Sequence, residues 1–325
     1  MKISTKILIT GGSGFIGTNL VQYLSKEFTV LNLDIKAPKE PSHKQYWTPV
    51  DINKIEQVKS AIIGFNPDYI IHLAARTDLD GKTVEDYKAN TIGVKNILLS
   101  AKELQTLKKI IITSSMLVCK PGYIPNNQKD YAPTTAYGES KVETENITWE
   151  MFSDLKCDWC LIRPSSIWGE YFDVPYRNFF DMVLSKKYFH IGNKSCTKTY
   201  GYVGNAVYEI EQLLFHDTIN VDNKVFYIGD YIPTNIEDWA NEISVEAYGK
   251  KIIHMSYVLL KCAAIFGDLL SIFHIHFPMT TFRLHNMTTN NIVPLENTKE
   301  IAPNLPFSRQ DGIKRTLLWL QKPPK

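Results

Sequence analysis

The chain has 325 residues, a formal net charge of +2, 44% hydrophobic and 22% charged residues, and 16 prolines. That composition can bury a sizeable core and excludes collagen, coiled coil and bulk disorder, and the length suits two domains or one large domain with an insertion. The 36 basic and 34 acidic side chains nearly cancel without forming a block of like charge, which argues against a nucleic-acid-binding stripe.

Lys6–Thr10 (KILIT) reads as a short strand. Glycines follow, then a helical pattern with Ile16, Leu20 and Leu24 four apart. Residues 28–33 (FTVLNL), 68–73 (DYIIHL), 109–113 (KIIIT) and 159–163 read as further strands, and 87–103 and 137–152 as helices. Strand and helix alternate, which predicts an α/β fold: a doubly wound parallel sheet of the Rossmann kind, covered on both faces. Residues 225–228 (VFYI) read as one more strand, returned to the sheet after an excursion. From Gly169 the aromatics, prolines and glycines scatter, and helices are expected at 177–187, 236–248 and 257–272. The expected division is a first domain over 1–168, with 203–229 returning to it, and a smaller, mostly helical C-terminal substrate lobe made of 169–202 and 230–325.

Met1 to Lys6 lead into an apolar run without a cleavable signal pattern. The most lipid-like stretch, 257–277, is interrupted by Lys261 and Asp268. Both features predict a cytoplasmic chain with no membrane partner. Five cysteines, an odd count, fit reduced thiols. Cys157 and Cys160 have CxxC spacing, but residues three apart on a strand face opposite ways, so they read as packed cysteines. His72 reads as structural. His274, His276 and His285 have no carboxylate at a ligating spacing, so no metal is expected.

Thr10-Gly11-Gly12-Ser13-Gly14-Phe15-Ile16-Gly17 joins the first strand to the first helix. Gly11 permits a tight turn, Gly14 close approach to a pyrophosphate, and Gly17 close packing of helix on sheet. The helix start, at Phe15 and Ile16, offers free N–H groups and a positive dipole end to phosphates. Asp34 ends the second strand, where a carboxylate bonds ribose hydroxyls and repels a 2′-phosphate, favouring NAD over NADP. Tyr137 and Lys141 lie one helical turn apart, and a nearby ammonium lowers a phenol pKa. Such a phenol can take a proton from a hydroxyl or return one to a ketone. Ser114 and Ser115 end the 109–113 strand, where ligands bind in open α/β sheets, so Ser115 can hold the reacting oxygen beside Tyr137.

These residues make the chain resemble the extended short-chain dehydrogenases/reductases, within them the NAD-dependent epimerase/dehydratase family that acts on nucleotide sugars. The resemblance rests on TGGSGFIG (10–17), Asp34, Asp51-Ile52, HLAA (72–75), Asn90 before Gly93, Ser114-Ser115, YGESK (137–141) and RPSSIWG (163–169), in that order. It holds well to about residue 230 and loosely beyond. It implies NAD as the cofactor, with Asp51 and Ile52 at the adenine and Leu73, Ala74 and Ala75 along the cofactor path. Asn90 would support the nicotinamide region from behind, and Pro164 and Ser165 would border the ring. Tyr137 would be the base, Lys141 its partner and a ribose ligand, and Ser115 the holder of the substrate oxygen. Ser166, Asn178, Lys198 and Arg283 would serve the substrate, chiefly its pyrophosphate. A homodimer through the helices near 87–103 and 137–152 is also implied.

The 4,6-dehydratases of the family carry an acidic pair directly after the active-site hydroxyl. Here Met116 and Leu117 follow Ser115, so loss of water lacks its general acid. The expected function is an NAD-dependent nucleotide-sugar 4-epimerase. Transient oxidation at C4 gives a 4-keto sugar, which rotates and takes the hydride back on its other face. The same residues suffice for a net dehydrogenase or 4-ketoreductase. Met116, Leu117, Cys119, Lys120 and 199–205 (TYGYVGN) depart from the usual epimerase pattern. Phe282-Arg283-Leu284 with Met287-Thr288 is similar to relatives acting on hydroxysteroids, so a sterol-like alcohol is the more remote alternative.

Overall fold

The computed structural model describes residues 5–174, 176–192, 195–216, 224–272, 280–281, 284 and 288–321. The first half runs β1 (Lys6–Thr10), α1 (Phe15–Leu24), β2 (Thr29–Asp34), β3 (Trp47–Pro49), α2 (Ile55–Phe65), β4 (Tyr69–His72), α3 (Val94–Ala101), β5 (Lys109–Thr113), α4 (Ala136–Met151) and β6 (Asp158–Pro164). The second half runs β7 (Ser166–Trp168), α5 (Arg177–Leu184), β8 (His190–Ile191), β9 (Thr197–Lys198), β10 (Tyr200–Tyr202), α6 (Val203–Phe215), β11 (Val225–Ile228), β12 (Thr234–Asn235), α7 (Ile236–Tyr248), β13 (His254–Met255), α8 (Tyr257–Ile272), α9 (Glu296–Ile301) and α10 (Arg309–Leu320).

Seven strands form one parallel sheet in the order β11-β6-β5-β4-β1-β2-β3. The alternation of side chains along each strand divides the core in two. Ile7 and Ile9 of β1, Ile71 of β4, Ile111 of β5 and Cys160 and Ile162 of β6 face one layer with α1, α6 and α7. Leu8, Ile70, Ile110, Ile112 and Leu161 face the other, with α2 and α3. Both faces are covered, as the apolar runs require. Cys160 packs in the first layer and Cys157 against the second, on opposite faces as the strand reading had it, and no cysteine among the described residues forms a disulfide. Trp149 and Met151 pack against the second layer and Phe152 is buried within it.

Strand order reverses between β1 and β4, and such a reversal opens a crevice at the strands' C-terminal ends. Outside this sheet, the later elements are held by three small pairings, β7 with β10, β9 with β12 and β8 with β13, and by an aromatic cluster around the buried Trp168.

The helix expected over 87–103 is present as one helical run from 84 to 101. It opens on a 3-10 turn (Val84–Tyr87) and carries a π turn (Ala89–Gly93) before α3. The cause is tertiary: the Asn90 amide is engaged across the fold, and a Cβ on Gly93 would lie 2.5 Å from Ile52 Cδ1. The sequence reading also missed β3, α2, α6, α9 and α10.

Candidate active site

The glycine loop sits at the C-terminal end of β1. Gly11 has φ +74, and a Cβ there would lie 2.6 Å from the Ala74 backbone nitrogen. A Cβ on Gly17 would lie 2.1 Å from Gly11 O. Those two glycines are demanded by the fold itself. Among the described residues the one close neighbour of an added Cβ at Gly14 is Gly11 O at 3.2 Å, and the space over it is otherwise open. Gly14 caps α1 without a side-chain hydrogen bond, which leaves the N–H groups of Phe15 and Ile16 without helical partners beside that space.

Asp34 stands next to the loop. Its Oδ2 accepts from Ser13 N at 3.0 Å and its Oδ1 from Lys36 N at 2.9 Å. Asp51 Oδ1 accepts from both Asn53 nitrogens at 3.0 Å, and Ile52 is buried against Gly93. Leu73, Ala74 and Ala75 leave β4 half-buried, with Leu73 N on Thr10 O at 3.0 Å and Ala74 N on Thr10 Oγ1 at 3.2 Å. His72 Nδ1 pairs with Thr10 Oγ1 at 2.7 Å. Burial, helped by the Lys141 ammonium, holds His72 down at about 3, so it is a neutral structural imidazole.

Asn90 is buried and ties three segments together. Its Oδ1 accepts from Arg76 N at 2.8 Å, its Nδ2 donates to Arg76 O and meets Ser140 Oγ at 2.9 Å, and its carbonyl accepts from Thr144 Oγ1. It thereby fixes α4 against the loop after β4.

Ser115 follows β5, and its Oγ accepts from Leu117 N at 3.1 Å. Its hydroxyl also bears on the Tyr137 phenol and pulls the phenol's pKa down. Gly138 allows this approach, since a Cβ there would sit 2.4 Å from Leu117 O. Thr135 caps α4 by accepting from Gly138 N at 3.0 Å. Lys141 is buried, and its Nζ donates to Thr113 O at 2.7 Å. Burial brings the Lys141 ammonium down to about 8, opposed by the Glu145 carboxylate.

One sequence expectation is corrected here. Burial pushes the Tyr137 phenol upward, the Ser115 hydrogen bond pulls it back, and the phenols of Tyr176 and Tyr87 push it up again. The ammonium expected to lower it is held by the Thr113 carbonyl instead. The phenol on its own is therefore a weak acid, and a cation beside it is needed to favour phenolate.

Pro164 and Ser165 cross the same edge at the end of β6. The Ser165 hydroxyl oxygen and Thr113 Oγ1 are buried without a partner among the described residues. Ser166 opens β7, half-buried, opposite Tyr200 of β10. Asn178 is exposed on α5, and Lys198 lies half-buried on β9, bridged to Asn291. Arg283, His274, His276 and His285 lie outside the described residues. An open cradle at Gly14, uncapped N–H groups at α1, a carboxylate at the end of β2 and orphaned hydroxyls at Ser165 and Thr113 together fit a dinucleotide laid across the sheet edge.

Sequence reasoning missed three features. Tyr87 packs its ring 5.8 Å from that of Tyr137, and Arg76 lies 5.0 Å over Tyr87. Tyr176, just before α5, acts electrostatically on the same phenol. Beneath Lys141, the fully buried Glu145 takes Arg163 Nε at 2.8 Å and Nη2 at 2.7 Å, plus the hydroxyls of Ser114 and Tyr131. Arg163 also donates to Tyr227 OH and Gln128 O. The four-residue spacing Tyr137, Lys141, Glu145 was the available signal.

A sheet of this order, a glycine loop at its first turn, and a serine meeting a Tyr-Lys helix define a short-chain dehydrogenase/reductase of the extended type. The chain belongs to the NAD dependent epimerase/dehydratase family, whose model matches residues 7–221. It is accordingly an NAD-dependent enzyme. It is 30% identical to a 3-beta-hydroxysteroid dehydrogenase of Mycolicibacterium neoaurum over 265 residues, covering 76% of this chain and 71% of that protein. It is 25% identical to the N-acetyl-alpha-D-glucosaminyl-diphospho-ditrans,octacis-undecaprenol 4-epimerase of Escherichia coli O157:H7, over 98% of this chain and 96% of that one. In fold it matches the UDP-glucose 4-epimerase of Thermotoga maritima, solved with UDP-glucose, with TM-score 0.73 and 20% identity over 98% of this chain and 99% of that one.

Proposed function

We propose that the protein is a 4-epimerase of a diphosphate-linked sugar, with a nucleotide as the expected carrier. The observation that carries this reading is the make-up of the site around Tyr137. Ser115 stands beside the phenol, Tyr87 packs its ring against it, and Met116 and Leu117 stand where an eliminating enzyme needs carboxylates. Such a site suits movement of one proton and one hydride, without loss of water.

NAD, when bound, supplies the hydride acceptor and donor and, oxidised, the positive charge that favours phenolate. Tyr137 takes the proton of the C4 hydroxyl as the C4–H bond breaks, and returns it when hydride comes back. Ser115 holds the C4 oxygen through both steps. Lys141 and the Ser165 hydroxyl hold the cofactor beside the phenol, with Asp34 at the adenosine ribose. Gly14 and the first turn of α1 receive its pyrophosphate. Asp51, Ile52, Leu73, Ala74, Ala75 and Pro164 line its path, and Asn90 holds α4 in place. Ser166, Asn178, Lys198 and Arg283 serve the substrate diphosphate. A homodimer and a cytoplasmic location belong to the same reading, and Ile92 and Leu99 leave apolar surface exposed beside α3 for such a pairing.

A second reading keeps the chemistry and changes the carrier to a polyprenol. The undecaprenol-linked relative spans nearly the whole chain. In addition, α8 exposes Val258, Leu259, Ile265, Phe266 and Leu269 on its surface. Among the described residues no helix is long and apolar enough to cross a membrane.

The test is direct. Purified protein is denatured and released cofactor counted, and intact protein is then incubated with UDP-sugars, GDP-sugars and polyprenyl-diphospho-sugars. The expected result is about one NAD per chain and interconversion of C4 epimers without growth of the NADH absorbance. Conversion of the polyprenyl substrate alone selects the second carrier. Steady NADH formation selects net oxidation and refutes the epimerase reading.

A further inference from the structure

Three side chains in the substrate-side elements have no part in the chemistry above. His190, Glu237 and His254 bring one ligand-type atom each to within 4.8 Å of one another. β8 and β13 run parallel with His254 opposite His190, so both rings leave the same face, with centroids 4.9 Å apart. Glu237 lies in the first turn of α7, and its Oε1 is 3.2 Å from His254 Nε2.

Each ring has its other nitrogen already tied to oxygen. His190 Nε2 meets Asn241 Oδ1 at 3.1 Å. Ile252 N donates to the same Oδ1 at 2.9 Å, which fixes that atom as the amide oxygen. His254 Nδ1 meets Gly192 O at 2.7 Å. An oxygen acceptor calls for N–H, so each ring is set in one tautomer. The lone pairs left over are those of His190 Nδ1 and His254 Nε2.

Both lone pairs are badly placed without a cation. His190 is 2% exposed, and its Nδ1 is buried with no hydrogen-bond partner among the described residues. His254 Nε2 points its lone pair at a carboxylate, acceptor against acceptor. Protonation of His254 cures the second conflict and leaves the first. A metal ion among the three atoms cures both. Imidazoles that bind metal also carry this outer pattern, the second ring nitrogen donating to a carbonyl or amide oxygen.

We infer that His190 Nδ1, His254 Nε2 and the Glu237 carboxylate form a site for a divalent transition metal, with zinc the best match. Two imidazoles and one carboxylate suit zinc and its neighbours, whereas magnesium and calcium take oxygen ligands. His254 lies at the exposed rim, which leaves the fourth position to water. The ion would clamp β8, β13 and the start of α7. Asn235, which caps α7, belongs to β12, and β12 pairs with the β9 strand that carries Lys198. The role is therefore structural, holding the frame on which a proposed substrate residue stands, and it does not depend on the epimerase reading.

The test uses full-length, tag-free protein stripped with a chelator. Zinc is titrated by calorimetry, and cobalt by its visible d–d absorption. The expected result is one saturable ion per chain, with melting temperature rising as zinc is added. Loss of a partner one shell out from a metal costs about 10–100-fold in affinity, so Glu237→Gln and His254→Gln should weaken binding by at least about tenfold and erase the cobalt bands. Both positions are at least partly exposed, and the folded state of each variant is checked by circular dichroism. Cys262→Ser, which removes an exposed thiol elsewhere, should leave binding unchanged. No saturable uptake by the parent protein, or equal affinity in both site variants, would overturn the assignment.

Discussion

Gly14→Ala separates the demands of the cofactor from those of the fold. Gly14 has φ −75 and ψ −175, an extended conformation open to alanine. Among the described residues the added methyl meets only Gly11 O, at 3.2 Å, so that oxygen must give by a few tenths of an ångström. Alanine is a poorer N-cap than glycine by under about 1 kcal/mol, and removing a glycine from the unfolded chain returns about 0.4–1 kcal/mol. The two nearly cancel, so melting of the cofactor-free protein should barely move. The same methyl fills the cradle proposed for the pyrophosphate, and NAD affinity should fall about 100-fold or more, close to 3 kcal/mol. Gly17→Ala is the contrast. Its methyl would lie 2.1 Å from a backbone oxygen, so the loop must shift and the fold itself should lose about 1–3 kcal/mol or more. Thermal melts of stripped protein, with calorimetric titration of NAD, read both quantities. Gly14→Ala that binds NAD like the parent, or that melts as early as Gly17→Ala, would refute the reasoning.

Tyr137→Phe should keep its NAD content and lose about 10²–10⁴-fold in turnover, measured by epimer formation, because the proton carrier is gone. Glu145→Ala leaves the buried Arg163 guanidinium unpaired, and denaturant titration should show a loss of about 3–5 kcal/mol. Lys141 titrates at about 8 in the folded chain against 10.5 as its ordinary value, so between those limits the unfolded chain holds more protons. Stability of cofactor-free protein should therefore rise with pH across that window, by up to about 3 kcal/mol, with the penalty fully present below it. Lys141→Met should remove that part of the slope, read from urea midpoints at both ends of the window.

The parallel sheet was legible because its strands are short apolar runs cut out by glycine, proline and polar breakers. β11 is read to the residue, and so are α7 and α8. The serine and the Tyr-Lys helix were legible because spacing along one helix is local information. What escaped is held by partners distant in the chain. Asn90 sits in a π turn of the expected long helix, bonded to Arg76 and Ser140. The state of Tyr137 depends on how deep it is buried and on where Lys141 Nζ goes, and neither follows from a four-residue spacing. Glu145 and Arg163 meet across α4 and β6. His190, Glu237 and His254 come from three elements whose pairing no local pattern announces.

The account turns on one phenol that gives and takes the C4 proton while the hydride leaves and comes back within one active site. Substrate labelled with deuterium at C4 tests this most directly. The expected product is the C4 epimer with the label retained at C4, formed in ordinary water without accumulation of reduced cofactor, and absent when Tyr137→Phe replaces the parent. Exchange of the label for solvent hydrogen, or epimer formed as fast by Tyr137→Phe, would contradict the account.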